Sequence, residues 1–498
     1  MQLSEAPAII LSPYDRSQGF LPDLELEKDC ACSSPYTHTA TWVKPSAHKV
    51  QHYQAPPLIQ QHLPAAWTLL CNPVAHHSLA VVSPPVLDLL AAFDHPRTLD
   101  DGVHYAGAPP HGPTTARRLV ELGLLTIPGT LPAPPPKDTT LTAWLHVTNA
   151  CNLRCTYCYV NKSTDHMSAA TGRQAIDAVL RAARANHFTR VKLKYAGGEA
   201  TLNFARVLEL HAYARHEAAR HGLALDGVVL SNGVAWNRRM IDALQTHDLR
   251  LMISLDGIGP VHDRQRPFTG GQGSFTHVVR SLDRLAQAGV TPTISVTLTD
   301  HNLATLPETI AFILQRELPF SLNFYRANDC ASSSDTLALH DAQVIAALRA
   351  AFAVIEANLP PFSLLECLAD LAQLDALHDR PCGAGHNYLV IDHAGQVSRC
   401  HMELDHPIAD ITANDPLLTL RTHPTGWRND PVSEKTGCQT CTWRYWCAGG
   451  CPLLTYRTTG RWDVQSPYCH IYQAIFPEIL RLEGLRLLQY GLPHTGLT

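Results

Sequence analysis

From residue 141 onward, hydrophobic and polar positions follow two alternating patterns. Short, mainly apolar runs of strand length are separated by segments in which apolar residues recur every three or four positions, as on one face of a helix. Strands are predicted at 141–147, 190–195, 227–230, 249–254, 293–298 and 321–324. Helices are predicted at 169–185, 205–220, 237–246, 276–288 and 303–315. This alternation predicts an α/β fold with a parallel sheet, and six units favour a partial (β/α)6 barrel over a closed eight-unit one.

The chain before residue 141 has a different character. Residues 1–61 are rich in Pro, Ser and His with little periodicity, and they predict an irregular arm. Two strand-like runs, 67–72 and 77–82, precede helical patterns at 84–93 and 114–125, so residues 62–128 predict a small domain with a hairpin. Residues 129–140 form a stiff Pro-rich linker.

The chain after the predicted barrel divides into three parts. The barrel is predicted to span 141–325, followed by bridging helices over 326–381. Residues 382–470 form a cysteine-rich domain, and residues 471–498 predict a C-terminal helix and tail.

Composition narrows the functional classes. The chain has 498 residues, 45% hydrophobic and 17% charged, with a net charge of -5 and no basic run, which argues against a nucleic-acid partner. No stretch of 18 apolar residues predicts a membrane span. The N-terminus lacks the features of a secretory signal. Fifteen cysteines, bunched in particular segments of a long chain, favour metal ligation over disulfides, and a reducing cytoplasm is the expected location.

Three cysteines follow the first predicted barrel strand. Cys151, Cys155 and Cys158 occupy positions i, i+4 and i+7. Three thiolates can hold three irons of a four-iron, four-sulfur cluster and leave the fourth iron open for a substrate. The same spacing also fits one face of a buried helix, with cysteine as an ordinary core residue. In the N-terminal arm, Cys30 and Cys32 form a Cys-x-Cys pair that could be reactive or metal-binding.

Polar and glycine residues follow the next three predicted strands. These residues are Gly197, Gly198 and Glu199 after the second strand, Ser231 and Asn232 after the third, and Ser254 and Asp256 at the end of the fourth. Because parallel strands place their carboxyl ends at one edge, these residues are expected to lie near the cysteine triad. Two glycines permit close approach of a ligand, and a carboxylate can accept hydrogen bonds from an ammonium group. Arg264 and Arg266 follow in a segment where exposed loop charges are equally plausible.

The triad and these motifs resemble those of the radical S-adenosylmethionine (SAM) enzymes. The resemblance implies that Cys151, Cys155 and Cys158 bind the SAM-associated cluster and that Tyr157 lies near the adenine. Gly197, Gly198 and Glu199 correspond to the family's Gly-Gly-Glu-Pro motif, with Ala200 in place of its proline. Ser231, Asn232, Ser254 and Asp256 correspond to its ribose and carboxylate contacts. In that family, reductive cleavage of SAM yields methionine and a 5′-deoxyadenosyl radical, which removes hydrogen from the substrate.

A second cysteine array follows the predicted barrel. Cys382 is followed by Gly395 and Cys400, then by Cys438, Cys441, Cys447, Cys451 and Cys469. Two zinc ribbons would explain the Cys-x2-Cys element. The whole pattern resembles the SPASM extension of radical SAM enzymes, which implies two auxiliary four-iron clusters. Carried over by position, the outer cluster would be bound by Cys438, Cys441, Cys447 and Cys469. The inner cluster would be bound by Cys382, Cys400 and Cys451.

The inner cluster would lack one thiolate. No cysteine lies between Cys382 and Cys400, so Cys330, Cys367, His386, His401 or a substrate group could complete it. Sulfatase-maturing members carry an aspartate directly after the second cysteine of this array, whereas this chain has His401 there. His401 and Glu403 are the candidate proton acceptors, and a solvated turn is an equally good explanation of both.

The resemblance implies a maturase of ribosomally made peptides. The N-terminal domain resembles a small winged-helix module that binds leader peptides, although a structural cap would explain its pattern almost as well. The expected reaction is an oxidative side-chain crosslink, carbon–carbon, carbon–oxygen or thioether. The expected partners are a precursor peptide and an external electron donor of the flavodoxin or ferredoxin type. Alternatives are a sulfatase-type or quinone-cofactor maturase and, outside enzymes, a zinc-ribbon scaffold that binds peptides.

Overall fold

The structure is a computed structural model that describes residues 8–14, 51–130, 138–328, 330–331, 337–424 and 426–492. Cys30 and Cys32, most of the predicted arm and the centre of the Pro-rich linker lie outside the described residues.

An antiparallel four-stranded sheet begins the described chain, in the order β1-β4-β3-β2. Its strands are β1 (Ile10–Leu11), β2 (Ile59–His62), β3 (Thr68–Cys71) and β4 (Leu79–Val82). Its helices are α1 (Pro84–Ala91), α2 (Leu99–Tyr105) and α3 (Gly112–Glu121). The predicted hairpin is confirmed as β3 and β4. The prediction of an irregular arm up to residue 61 was wrong in part, because β1 pairs with β4 and β2 begins at Ile59; helix α2 was not predicted.

Six parallel strands and their helices form the centre of the molecule. The strands are β5 (Thr140–Thr148), β6 (Arg190–Gly197), β7 (Ala224–Ser231), β8 (Arg250–Ser254), β9 (Thr293–Leu298) and β10 (Phe320–Phe324). The helices between them are α4 (Ala169–Ala185), α5 (Phe204–Arg220), α6 (Arg238–His247), α7 (Pro260–Gln265), α8 (Phe275–Gln287) and α9 (Leu306–Leu314). All six predicted strands and all five predicted helices are present, α4 with the predicted bounds. Only the short α7 was not predicted.

The two faces of the parallel sheet differ in polarity. The face against the helices is apolar and includes Leu141, Ala143, Leu145, Val191, Leu193, Val229, Leu251, Ile253, Ile294, Val296, Leu322 and Phe324. The alternate positions of β6 are Lys192 and Lys194, and both are fully buried on the other face. Since side chains alternate along a strand, the helix layer fixes the register and leaves the polar set inside the partial barrel.

The C-terminal part extends the barrel sheet. Its elements are α10 (Asp341–Ala357), β11 (Tyr388–Ile391), β12 (Gln396–Ser398), β13 (Ala409–Asp410), α11 (Pro416–Thr422), α12 (Arg444–Cys447), α13 (Pro452–Thr459) and α14 (Cys469–Gly491). Strand β11 pairs in parallel with β5, and β12 and β13 continue antiparallel, which gives a nine-stranded sheet. The cysteine-rich part is therefore joined to the barrel at the strand that precedes the cysteine triad.

Two predicted boundaries in this part were wrong. In the described residues of 326–381, the predicted bridging helices reduce to α10, and the chain from 358 to 381 contains no helix. The C-terminal helix begins at Cys469 rather than at 471, so the last cysteine of the array is its first residue. None of the described helices has the length and apolarity needed to cross a membrane.

Helix α14 ties the N-terminal sheet to the rest of the chain. A Cβ on Gly484 would lie 2.9 Å from side-chain carbons of both Leu63 and Leu69, so glycine allows the helix to approach the sheet. Gln61 donates a hydrogen bond to the Pro477 carbonyl at 2.8 Å. The same helix carries an ion pair that is completely removed from solvent.

We expect Arg486→Met to destabilise the protein strongly. Arg486 forms two hydrogen bonds with Glu483, at 2.6 and 2.9 Å, and both side chains are at most 1% exposed. Removing one partner leaves a buried charge uncompensated, which costs about 3–5 kcal/mol. Denaturant unfolding followed by tryptophan fluorescence measures the change in the free energy of unfolding.

Arg481→Met on the same helix is the matched control. Arg481 pairs with Glu356, but both side chains are more than 40% exposed, so a change below about 1 kcal/mol is expected. Equal losses in the two variants would contradict the role given to the buried pair.

Candidate metal centres and cofactor site

The cysteine triad lies in an irregular loop that follows β5. Residues 149–168 contain no helix, so the alternative of a buried helix face is wrong. The loop is held by the end of α7 and the residues that follow it, because Arg154 N donates to Pro267 O at 2.8 Å and Thr156 N donates to Gln265 O at 3.0 Å. These backbone bonds present the three thiols on a fixed loop rather than inside the core.

The three thiols are close enough to influence one another. Burial raises the pKa of Cys155 to about 12, and the neighbouring Cys158 and Cys151 raise it further while Arg266 opposes them. Burial also raises the pKa of Cys151. The Leu153 amide donates to Cys151 Sγ at 3.4 Å, a contact that favours a thiolate. Thiols of this kind become ligands when a metal replaces their protons.

The two glycines after β6 allow the cysteine loop to pass close to this strand. A Cβ on Gly197 would lie 2.3 Å from Thr148 O, and one on Gly198 would lie 2.4 Å from Ala150 O. The Gly198 and Glu199 amides donate to Thr148 O and Ala150 O at 2.7 and 2.9 Å. Glycine is therefore required here first of all by the backbone that leads into the triad.

The Glu199 carboxylate organises the adjacent strand ends. It is 2% exposed and accepts hydrogen bonds from Ser231 Oγ at 2.8 Å and from the Asn232 amide at 2.6 Å. Thr201 donates to the same carboxylate from its amide and its hydroxyl, at 3.1 and 2.6 Å. The Asn232 side chain donates to Asn152 in the cysteine loop at 2.7 Å. Three of the predicted cofactor residues thus form one network with the triad loop.

The Asp256 carboxylate is completely buried and lies between three donors. The Tyr157 hydroxyl donates to it, the Arg266 guanidinium donates at 3.1 Å, and the Thr297 amide donates at 2.7 Å. Arg266 also donates to the Tyr157 hydroxyl. Asp256 therefore fixes the tyrosine that precedes Cys158, and Ser254 lies half-buried at the end of β8.

The outer set of predicted auxiliary ligands comes from three places: Cys438 and Cys441 in the turns before α12, Cys447 at the end of α12 and Cys469 at the start of α14. Cys447 is buried, which raises its pKa to about 12, and the charges of Cys438, Cys469 and Cys441 raise it further. Burial raises the pKa of Cys438 to about 11. The four cysteines that were assigned to one cluster are thus electrostatic neighbours.

The inner set lies around a cavity. Cys382, Cys400 and Cys451 line a small, partly open cavity whose other walls include Trp427 and Leu453. Burial raises the pKa of Cys382 to about 11, and the charge of Cys451 adds to this. Asn429 donates to the Cys382 carbonyl at 2.7 Å and contacts its sulfur at 3.8 Å. Three thiols around an otherwise mainly apolar cavity fit the chemistry of an iron–sulfur cluster.

The two candidate proton acceptors have different surroundings. His401 lines the cavity, its ring is stacked on Trp144 with 4.7 Å between centroids, and its Nδ1 is 3.1 Å from the Tyr388 hydroxyl. Burial lowers its pKa to about 3, and the nearby Arg326 adds to this. Glu403 accepts a hydrogen bond from the Trp427 indole at 2.6 Å. Only His401 of the two is part of the cavity wall.

The structure distinguishes among the four residues that could supply the missing fourth ligand of the proposed inner cluster. Cys367 is buried in the main hydrophobic core, away from the cavity wall. Cys330 contacts Asn161 at 3.3 Å, near the first triad. His386 contacts the Asn429 carbonyl at 3.1 Å and does not line the cavity. His401 alone of these four is a wall residue.

That the cysteines lie in three groups is a separate matter from whether they bind a metal. Across the described ranges, no three His, Cys, Asp or Glu side chains meet the geometry for holding a metal ion. The three sets are recognised by their electrostatic proximity and by the shared cavity, and their binding of iron remains a prediction.

Three functional candidates were missed or left undecided by sequence reasoning. Arg266 is buried, whereas Arg264, two residues away, is exposed. Asn429 and Lys435 lie among the auxiliary cysteines but carry no motif signal. For Asn429 and Lys435, the only signal in the sequence was the presence of a polar residue within a cysteine-rich segment.

Comparison with known proteins finds a family match within the barrel. Residues 145–313 match the Radical SAM superfamily. An uncharacterized protein of Methanocaldococcus jannaschii is 28% identical over 171 residues, which is 34% of this chain and 57% of that protein. The chain thus spans little more than half the length of this relative.

A longer match and a solved structure extend the similarity. The mycofactocin maturase MftC of Mycobacterium ulcerans is 27% identical over 349 residues, which covers 65% of this chain and 86% of that protein. The solved structure of anSMEcpe with bound AdoMet has a TM-score of 0.56 at 17% identity and covers 69% of this chain and 99% of that one. Because the sequence identity is only 17%, this structural similarity shows a shared fold and nothing more.

We expect Arg266→Met to disturb the triad loop. The variant leaves Asp256 buried without its cation, which costs about 3 kcal/mol, and frees Tyr157 from one of its partners. A lower free energy of unfolding and reduced iron content after anaerobic purification are the expected results. Arg264→Met, which alters an exposed side chain, should change neither quantity, and similar losses in both variants would contradict the assignment.

Proposed function

We propose that this chain, which carries a radical SAM domain, is a peptide maturase that forms an oxidative crosslink in a ribosomally made precursor peptide. The observation that carries the proposal is the division of ten cysteines into three neighbouring sets, one of them at the carboxyl end of a barrel strand. The similarity to a mycofactocin maturase over 65% of the chain supports the same reading, since it extends beyond the matched domain.

The proposed cofactors are SAM and three [4Fe-4S] clusters, one at the triad and two at the auxiliary sets. When bound, the cluster at the triad and SAM together supply one-electron reductive cleavage and, through it, hydrogen abstraction from an unactivated carbon. The chain must hold both groups, exclude water and orient the substrate.

We assign the cofactor contacts to residues at the strand ends. Glu199 is held by Ser231 and Asn232 and presents its carboxylate beside the triad loop, where it can accept from the ammonium of SAM. Gly197 and Gly198 keep the strand and the loop in contact. The remaining proposed contacts, Tyr157, Ser254 and Asp256, lie at the neighbouring edge, with Asp256 fixing Tyr157.

In addition to the radical that removes the first hydrogen atom, the proposed oxidation needs one acceptor for a proton and one for an electron. Closing one crosslink removes two hydrogens from the peptide, as one hydrogen atom followed by one proton and one electron. We propose that His401 accepts the proton, because its ring lines the cavity at the inner set and its Nδ1 is 3.1 Å from the Tyr388 hydroxyl. The auxiliary sets provide the route for the electron, which can return to the external flavodoxin- or ferredoxin-type donor that was oxidised when it supplied the electron for SAM cleavage.

Peptide recognition is assigned to the N-terminal domain. Among the described residues its sheet ends in β2, which pairs with β3 on one side. A sheet edge of this kind can pair with an extended peptide through main-chain hydrogen bonds.

Anaerobic purification tests the proposal against a zinc-ribbon scaffold. About twelve irons per chain together with SAM cleavage on dithionite reduction are the expected results. Two or three zincs without cleavage would favour the scaffold. Mass spectrometry of the co-expressed precursor should show the loss of two hydrogens, and an unmodified peptide with active SAM cleavage would exclude the crosslinking role.

We expect serine substitutions to separate the first set from the outer set. Cys155→Ser should abolish SAM cleavage, because the triad loses one of three thiolates. Cys441→Ser should preserve SAM cleavage but stop formation of the peptide product, because the electron route is broken. Iron content, SAM cleavage and product mass are measured for each variant. A fully productive Cys441→Ser enzyme would contradict the role of the outer set.

His401→Gln should lower product formation by about 10²-fold and leave SAM cleavage intact. Glu403→Gln is the matched comparison, and a smaller effect is expected because Glu403 is held by Trp427 and does not line the cavity. Product yield and 5′-deoxyadenosine are quantified in the same reaction. A larger loss in Glu403→Gln would assign the proton to the carboxylate instead.

A further inference from the structure

A lysine lies completely buried among the auxiliary cysteines. Lys435 has no exposed surface, and its Nζ donates a hydrogen bond to the Ala448 carbonyl at 2.8 Å. Ala448 belongs to the short turn between Cys447, assigned to the outer set, and Cys451, assigned to the inner set. The ammonium is therefore placed where the two sets meet.

The turn is shaped around this side chain. Ala448, Gly449 and Gly450 all have positive φ, of 44°, 78° and 66°. A Cβ on Gly449 would lie 2.5 Å from Lys435 Cδ and 3.0 Å from its Nζ, so a larger residue there would displace the lysine side chain. A non-glycine residue at positive φ costs about 1 kcal/mol, which Ala448 sustains while its carbonyl binds the ammonium.

The charge of Lys435 lies near the sulfur atoms of four cysteines. Burial lowers its pKa, and the groups that oppose this are Cys438, Cys382, Cys447 and Cys451, two from each set. A buried ammonium is costly unless a negative charge lies nearby, and these four cysteines can supply that charge as thiolates or as cluster ligands.

We propose that Lys435 is the fixed positive charge shared by the two auxiliary clusters and that it raises the reduction potential of both. The inference rests on the proposed function, because it assumes that the two sets bind clusters. Adding one electron to a cluster makes it more negative, and a nearby buried cation stabilises that state. Such a charge would favour uptake of the electron that is released when the peptide is oxidised.

The test is a redox titration of the full-length, anaerobically loaded enzyme, followed by electron paramagnetic resonance with dithionite as the reductant. Lys435→Met keeps the length of the side chain and removes its charge. Both auxiliary signals should shift to more negative potentials at full iron content, and the signal of the triad cluster should not move. Arg461→Met, which alters an exposed cation in the same domain, should leave all three potentials unchanged.

The possible outcomes distinguish a role for the charge of Lys435 from a role for its packing. Unchanged auxiliary potentials in fully loaded Lys435→Met would overturn the proposal. If Lys435→Met and Lys435→Gln lose auxiliary iron whereas Lys435→Arg retains it, the requirement for the charge is supported. Loss of iron in all three variants would assign Lys435 a packing role and reject the inference. Absence of auxiliary clusters from the unaltered enzyme would instead reject the proposed function, so the two failures are distinguishable.

Discussion

The common edge of the parallel sheet is the constraint on which the rest of the structure depends. Helices cover one face of β5 to β10 with apolar side chains, which fixes the register of each strand. The carboxyl ends of four neighbouring strands then meet, and this brings the triad loop, Gly197 to Glu199, Ser231 and Asp256 to one place. Chemistry distributed over about a hundred residues of sequence becomes one site because of this register.

Buried charges stabilise the site, and each has defined partners. Glu199 is surrounded by hydroxyl and amide donors, Asp256 is paired with Arg266, and Lys435 faces a carbonyl and four cysteines. Such groups destabilise a protein when left alone and hold their neighbours in position when paired. The first two position the triad loop, and the third lies between the two auxiliary sets.

Sequence patterns that span a few residues predicted helices and strands well, but they predicted contacts between distant segments poorly. Helix α4 has the predicted bounds because its apolar spacing and its Ser168 cap are both local. The extension of the sheet by β11 was not predicted, because pairing with β5 depends on a residue separation of more than 200. Arg264 and Arg266 have equivalent sequence contexts, yet only Arg266 reaches a buried carboxylate.

The sequence by itself determined the α/β alternation, the spacing of the two cysteine arrays and the choice of strand-end residues, since each depends on neighbours within a few positions. The tertiary structure alone decided which cysteines are neighbours, that His401 rather than Glu403 lines the cavity, and that Lys435 is buried between the sets. The physical reason is that burial and electrostatic proximity are properties of contacts between distant segments. These contacts arise only when the sheet, the turn at Ala448 and helix α14 are packed together.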